Sequence, residues 1–468
     1  MSQFLFDHPI VREIRQASGV LGDNLYLVGG AARDYLLSGT WPTDWDFATP
    51  LTPDKVLELL DDRYPIWEAG REFGTIGVFI RDQKVDITTF RTETYPNNTR
   101  FPVVDFTNDL RLDTSRRDFT INSIVIDPKG KVLDFHGGEK DLRDGVIRAV
   151  GVPAERFSED PHRIMRMYRF ALKYGFRVDP LTLSDAAQCA VKILSVSHER
   201  WTMEFEKILS LYDGRGISRP LLEHFFTASV GKYILPEVAA LGGIRQWGPY
   251  HNGDTVLVHV LKTVEELNHN FGQSEPPVLW AALLHDVGKL TTHSIDPEDE
   301  VSHFYGHEGV GELIAEGIAD RFVLSNEDKD RVKCLVREHM APTRLIRVKY
   351  GQRAIRRLIN RTTPWTNDLL KVAYADCASH SGLVPGDLEK ITALWTEIDV
   401  TPTYEDGKSY ELPSHLGTHI MEAFQLPSGP GIGDAIDAVV RAIDEERLSS
   451  TPSLDEALEV VQGYLEAQ

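Results

Sequence analysis

Residues 29–49 read GGAARDYLLSGTWPTDWDFAT. A Gly-Gly pair follows the β-type run at 25–28, a helix-forming run comes next, and two aspartates separated by one tryptophan close the stretch. In an extended strand, side chains two apart share a face, so Asp44 and Asp46 should stand together while Trp45 turns the other way. Such paired oxygens suit a hard divalent cation. Glycines at a strand-to-helix turn let backbone N–H groups approach an anion at the helix N-terminus, where the dipole favours it. Gly29 and Gly30 are placed for that role, with Arg33 one turn further on. Taken singly, Gly-Gly and Asp-x-Asp are weak signals, since tight turns and surface acids explain most of them; their ordered combination is much stronger.

A third acid follows in KVDITTFR (84–91), where alternation groups Asp86 with Thr88 and Phe90. Three acids on neighbouring strands can hold two cations about 3.5 to 4 Å apart, the spacing suited to in-line phosphoryl displacement. A second group of ligand-type residues comes later in the chain. LVHVL supplies His259, LLHDVGK supplies His285 and Asp286, and YADCASH supplies Asp376, with His307 and His339 between them. A lone histidine is usually a core or surface residue. The order H, HD, D can bind a divalent transition metal, because imidazole suits such ions and carboxylate suits harder ones, and His307 and His339 could furnish ligands for a second metal.

The 468-residue chain carries a net charge of −21 and three widely separated cysteines, which suggest neither a disulfide framework nor a thiolate zinc site. MSQFLFDHPI lacks a basic leader, and no apolar run reaches membrane-spanning length, so a soluble, unexported, cytoplasmic protein with no membrane partner is expected. The net charge argues against a polyanionic partner, but its distribution matters more. From Arg344 to Arg361 the chain holds seven basic residues, Arg344, Arg347, Lys349, Arg353, Arg356, Arg357 and Arg361, and no acidic one. Such a run reads equally as a solvated face or as a track for nucleic acid.

Four parts are expected. Residues 1–150 mix short β-runs and turn signals and read as an α/β head. Residues 151–245 read as helical, with Ile164, Met167, Tyr168, Ala171 and Leu172 recurring at helical spacing. After the Gly- and Pro-rich GGIRQWGPYHNGD, residues 246–400 are again helical and hold most of the histidines. Residues 401–468 form a helical tail with the turn cluster QLPSGPGIGD.

In order, LVGGAARDYLL, TDWDFAT, VDITTFR, RRDFTINSI, EDPHRIMRMYRFA and ERWTMEFEKIL resemble the class II tRNA nucleotidyltransferases and bacterial poly(A) polymerases of the polymerase-beta superfamily. The later histidines resemble an HD-domain phosphohydrolase. The resemblance implies a polymerase-beta-like head, an all-α neck and body, and an all-α HD domain. It implies Mg2+ at Asp44 and Asp46, with Asp86 as a further catalytic acid. Nucleotide binding is implied for Gly29, Gly30, Arg33, Arg116, Arg117, Asp118 and Asn122, and for Asp160, Arg163, Arg166 and Arg169. The implied reaction adds CCA to the 3′ end of tRNA from CTP and ATP and releases pyrophosphate. A poly(A) polymerase, a CC- or A-adding enzyme, or an HD phosphohydrolase with an RNA-binding head are the rival readings. Residues 92–112 correspond to the family's flexible segment. Ala32, Ser38 and Ser123 depart from the usual pattern at small packing positions.

EDPHR supports an argument of its own. A carboxylate beside a guanidinium offers an acceptor next to a donor fork, which matches the amino group and ring nitrogen of cytosine and adenine and mismatches uracil and guanine. Asp160 and Arg163, three apart, are expected as neighbours on one helix face. On spacing alone an ordinary ion pair, with Asp160 capping a helix that begins near Pro161, is the better reading; the resemblance reverses that preference in favour of base recognition, with Arg166 and Arg169 continuing the stripe toward triphosphate or RNA.

Overall fold

The computed structural model describes residues 8–60, 63–94, 103–216, 218–248, 251–295, 301–380, 386–401, 410–427, 429–445 and 447–466. Two compact units emerge, Met1–Leu211 with Arg215–Pro236, and Tyr212–Gly214 with Glu237–Gln468.

Alternation builds the sheet of the first unit. Within KVDITT, Val85, Ile87 and Thr89 are buried while Asp86 and Thr88 stay half-buried on the other face. Besides a short parallel pair, Val146–Ile147 with Arg177–Val178, the strands are β1 (Tyr26–Leu27), β2 (Trp45–Thr49), β3 (Ile66–Trp67), β4 (Thr75–Ile80), β5 (Gln83–Thr89), β6 (Arg91–Thr94), β7 (Val103–Phe106), β8 (Val125–Ile126) and β9 (Val132–Leu133). All but β6 and β7 form one seven-stranded sheet in the order β3-β4-β5-β2-β1-β8-β9. β2 and β5 are parallel, in a register that sets Asp46 beside Asp86; the other pairings in the sheet are antiparallel. β6 and β7 form a separate hairpin; residues 95–102, within the segment expected to be flexible, lie outside the described residues.

β2 begins at Trp45, so Asp44 stands just ahead of the strand. The two-residue alternation still holds. Trp45 is buried between Trp41 and Phe47, with near-parallel rings 5.9 and 5.8 Å away, and its Nε1 donates to Gln83 at 3.0 Å. That anchoring leaves the flanking acids on the opposite face.

The helices that matter to the site are α1 (Gly29–Ser38), α2 (Pro153–Glu159), α3 (His162–Tyr174) and α4 (His198–Leu211). The expected stripe of α3, Ile164 through Leu172, is buried throughout.

The second unit is mostly helical, with two short hairpins, Arg245–Gly248 with His251–Thr255 and Ser294–Ile295 with Ser302–His303. Its helices include α5 (Val256–Phe271), α6 (Pro276–Leu284), α7 (His307–Arg321), α8 (Asn326–Glu338), α9 (Met340–Ile346), α10 (Gln352–Thr362) and α11 (Thr366–Ser379). Gly288 lets the chain after α6 pack against the start of α7, because a Cβ there would lie 2.0 Å from the carbonyl oxygen of His307. The last helices, α12 (Leu416–Phe424), α13 (Pro430–Asp444) and α14 (Leu454–Glu466), close on an apolar cluster around Ile420, Val439 and Val461. Among the described residues, no helix is long and apolar enough to cross a membrane.

Replacing Trp45 with Ala removes a fully buried ring from the core under β2. The expected loss is about 3–5 kcal/mol, read from denaturant unfolding of the first unit's near-ultraviolet signal; an unchanged midpoint contradicts the anchoring role.

Candidate active site and candidate metal centre

Gly29 opens α1 with φ +64°. A Cβ there would lie 3.1 Å from Arg117 Nη1 and 3.7 Å from Asp46 Oδ2, so its absence lets a guanidinium and a carboxylate converge on the helix N-terminus. Arg117 Nε is buried with no acceptor among the described residues, an unfilled donor of the kind an anion takes. Arg33 is buried and fully engaged. Its Nε and Nη2 grip Asp34 at 2.8 and 3.0 Å, and Nη1 donates to Asn122. Its guanidinium lies between the rings of Phe170 and Tyr174, 5.0 and 4.9 Å from their centres. The Tyr174 hydroxyl donates to Asp34 at 2.8 Å, which fixes Arg33 as a post one turn into α1.

Asp44 and Asp46 line a cavity of about 690 Å3 whose wall also holds seven arginines. Asp86 stands in register beside Asp46 but does not line that cavity, and its Oδ2 lies 2.8 Å from Lys84 Nζ. Burial pushes the Asp46 carboxyl up to about 6; Arg117 opposes this, and the charges of Asp86 and Asp44 add to it. A carboxyl raised by burial and like-charged neighbours is one that a cation stabilises in its ionised form. The acids therefore fit a divalent ion.

The remaining wall is a network of ion pairs. Arg166 holds Asp118 through Nε and Nη2 at 2.8 and 2.6 Å, and Asn122 donates to Asp118 at 2.8 Å. Burial alone would raise Asp118, but Arg166 and Asn122 prevail and hold it at about 2. Arg116 pairs with Asp113 and Glu93 at 2.7 and 2.8 Å, and Arg169 pairs with buried Glu204. The expected helix-face pair of Asp160 and Arg163 does not form. Asp160 has an extended backbone at the joint between α2 and α3, where it accepts from Arg200 at 3.0 Å and from the His162 backbone at 3.1 Å. Arg163 instead donates to Glu159 at 3.1 Å and to the Arg116 carbonyl at 2.8 Å. Helical spacing does not apply across the joint. Both residues nonetheless line the cavity, as do all the other nucleotide-binding candidates of the first unit. His162, Phe170 and Arg200 complete the wall; the last lies within ERWTMEFEKIL, a segment whose sequence pattern does not distinguish Arg200 from its neighbours.

In the second unit all six ligand candidates converge in two groups, His259, His285 and Asp376, and Asp286, His307 and His339. Asp286 bridges them, with Oδ2 3.2 and 3.3 Å from the Nε2 atoms of His259 and His285, and Oδ1 3.4 and 3.9 Å from those of His307 and His339. The Nδ1 atoms of His285, His307 and His339 lie 2.8, 2.8 and 2.7 Å from backbone carbonyls. That of His259 lies 3.0 Å from Ser379 Oγ, whose own hydroxyl donates to the Asp376 carbonyl at 2.7 Å. Hydrogen-bonding logic places protons on Nδ1 and turns the Nε2 atoms toward one another, 3.1 Å apart for His259 and His285, where burial would lower His285 but Asp286 and Asp376 raise it and favour a second proton, and 3.3 Å apart for His307 and His339. Burial, reinforced by His285, drives His339 down to about 3, so a proton is a poor mediator there. Metal ions fit between such ring nitrogens. His380, which no sequence pattern marks out, stacks on His259 with rings 5.3 Å apart and 3° from parallel. With Lys289 it lines a cavity of about 290 Å3 over the cluster.

Residues 25–148 match the Poly A polymerase head domain, and residues 257–373 match the HD domain. The multifunctional CCA protein of Pasteurella multocida is 32% identical over 394 residues, covering 79% of this chain and 87% of that protein. The chain belongs to the CCA-adding enzyme family. The CCA-adding enzyme of Enterococcus faecalis is 38% identical over 216 residues, covering 46% of this chain and 51% of that enzyme; the chain thus spans about half the length of the first curated relatives it matches. The crystal structure of the Bacillus stearothermophilus CCA-adding enzyme in complex with CTP superposes with a TM-score of 0.62 at 22% identity, over 98% of this chain and all of that one, a likeness of fold.

For this member of the CCA-adding enzyme family, the basic run proves partly compensated. Arg344 pairs with Glu308, Arg361 with Glu338 at 3.2 Å, and Arg357 approaches Asp444 to 3.9 Å. Arg347 and Lys349 follow α9 as exposed residues, and Arg353 and Arg356 are half-buried on α10.

Between the ordinary carboxylate value and about 6, folded Asp46 keeps a proton that the unfolded chain has released. Its contribution to stability therefore falls as pH rises through that window. In chelator, melting of the wild type is expected to drop more steeply across the window than melting of Asp46→Asn, and added Mg2+ should raise it most above the window. Parallel pH profiles for the two proteins contradict the assignment.

Proposed function

We propose that the chain adds CCA to the 3′ end of tRNA, taking CTP and ATP and releasing pyrophosphate. The observation that carries the reading is the convergence, in one cavity, of two adjacent acids, an unfilled buried arginine donor and the Asp160–Arg163 joint. Asp44 and Asp46 would hold Mg2+, with Asp86 beside them; a divalent ion there supplies activation of the terminal hydroxyl and neutralisation of phosphate charge. The amide groups of Gly29 and Gly30 and the guanidinium of Arg117 receive the triphosphate, which the helix N-terminus also favours. Asn122, Arg116 and the Asp118–Arg166 pair shape the wall against the sugar and phosphates. Asp160 offers an acceptor and Arg163 a donor to the base edge, each held by other partners, so the two present a fixed pattern without satisfying one another. Uracil and guanine would leave buried groups unpaired at about 1–3 kcal/mol each.

The reading divides the chain into a catalytic head (1–150), a base-selecting and RNA-holding part (151–245), an HD domain (246–400) and a tail (401–468), acting in the cytoplasm. Arg344 to Arg361 serve RNA. A second activity is favoured by the six gathered ligands, which would hold a pair of divalent transition metal ions for phosphoester hydrolysis.

Transcripts ending before CCA, after C and after CC, each with single nucleotides, test the first reading. Addition of C, C and then A with a stop at three is expected, whereas long A tails would support a poly(A) polymerase. Asp44→Ala with Asp46→Ala should lower addition by at least about a thousandfold, the scale of losing a main catalytic element, while phosphatase activity persists. For the second reading, metal analysis of the purified wild type should find transition metal that Asp286→Ala loses; equal metal in both proteins would sink it.

A further inference from the structure

One register row crosses four strands of the head's sheet and carries more than its acids. Asp46 on β2 pairs with Asp86 on β5, Asp86 with Gly77 on β4, and Gly77 with Trp67 on β3. The last three look toward one face, since a Cβ at Gly77 would lie 3.2 Å from Asp86 Oδ1 and 3.5 Å from Trp67 Cβ. Glycine thus leaves a gap, floored by backbone, between the last acid and the tryptophan. The opposite face sends Ile76, Val78, Val85 and Ile87 into the core. On the near face Trp67 is 51% exposed and Phe79, two residues beyond Gly77, is 39% exposed. Lys84, the cross-strand partner of Phe79, sets its Nζ 5.1 Å from the centre of the Trp67 ring and 2.8 Å from Asp86 Oδ2. Exposed rings on an open sheet face are a common way for proteins to take unpaired RNA bases. A lysine among them supplies a partner for phosphate, and its ion pair, with both side chains partly exposed, exchanges readily.

The same row crosses the wall of the nucleotide cavity. Asp46 lines that cavity together with Gly29 and Arg117, and Asp86 does not. Displacement at phosphorus brings the attacking oxygen in opposite the leaving one. With the triphosphate at the glycine turn and Arg117, as read above, the attacking hydroxyl comes from the far side of Asp46. Asp86, Gly77 and Trp67 follow there at strand intervals of about 4.8 Å. Asp86 and Trp67 are two intervals apart, about 10 Å, the length of one nucleotide.

We propose that this open row receives the 3′-terminal nucleotide of the RNA being extended. Its hydroxyl lies at Asp46 and Asp86, its ribose crosses Gly77, and its base stacks on the exposed part of the Trp67 ring. Lys84 turns from Asp86 to the phosphate on the 5′ side of that nucleotide. The inference rests on the nucleotide-transfer reading for the identity of the strand, and it adds a site for the acceptor end on a face that the nucleotide cavity does not reach. Stacking on a ring tolerates any base, which suits an acceptor whose last base changes as it is extended.

The test uses the full-length protein and, without nucleotides, a hairpin RNA with a short unpaired 3′ end carrying 4-thiouridine last. Photo-crosslinking and peptide mapping should place that base on the β3–β4 segment, residues 65–79. By fluorescence anisotropy with the unmodified hairpin, Trp67→Ala should weaken binding about tenfold, the scale of one stacked base, while Trp67→Phe retains most of it. Lys84→Gln should flatten the dependence of log affinity on log salt by roughly 0.7, the contribution of one single-strand phosphate contact. In steady-state addition, Trp67→Ala should raise KM for the RNA by a similar factor and leave KM for CTP unchanged; a merely structural loss moves both. Crosslinks confined to other segments, or equal affinity of Trp67→Ala and wild type for the hairpin, would overturn the proposal. The outcomes also separate it from the reading on which it rests. A chain that extends RNA with a KM indifferent to Trp67 keeps nucleotide transfer and loses the stacking site, whereas crosslinks at Trp67 on a chain that adds no nucleotide keep the stacking site and remove transfer.

Discussion

Crowded electron-pair donors, held together by contacts outside them, are the constraint on which both candidate sites depend. In the first unit the parallel register of β2 and β5 sets Asp46 beside Asp86, at the strand separation of about 4.8 Å, and the burial of Trp45 fixes which face the acids occupy. In the second unit, backbone carbonyls and Ser379 take the Nδ1 protons of four histidines and so oblige their Nε2 atoms to meet. Neither arrangement is comfortable for an empty protein. The cost is borne by packing some distance from the site, which is what makes each site ready for a cation rather than dependent on one to assemble.

The head cavity shows the complementary case. A chain with an excess of acids gathers seven arginines around one space. Most are individually neutralised from behind, by Asp113, Asp118, Glu159 and Glu204. Pairing of this kind removes much of the local charge but fixes direction, so the wall presents oriented donors instead of a diffuse positive field. Selection between bases requires orientation of that sort.

Much of this is legible in sequence because it is periodic or ordered. Alternation in KVDITT and the three- and four-residue stripe of α3 are local, and each reports its buried face directly. The H, HD, D order also survives folding, since each ligand sits on or at the end of its own helix. What stays hidden depends on partners far along the chain. Tyr174 meets Asp34 across 140 residues and Arg169 meets Glu204 across 35. The basic run looks uncompensated in sequence because Glu308, Glu338 and Asp444 belong to other helices. Asp160 and Arg163 have a spacing that permits a single helix face; the break at Pro161 separates them, and only the structure shows which partners each takes instead.

The guanidinium of Arg33, held between the rings of Phe170 and Tyr174, makes the first turn of α1 and the body of α3 one mechanical piece. A nucleotide bound as proposed would be gauged as if between the jaws of a caliper, one jaw at the glycine turn and the other at the head of α3. A purine is longer than a pyrimidine, and the clamp does not let the jaws slide apart at Arg33. On that proposal, accommodation of the longer base would fall to the joint ahead of α3, where an extended residue and a proline interrupt the helical backbone.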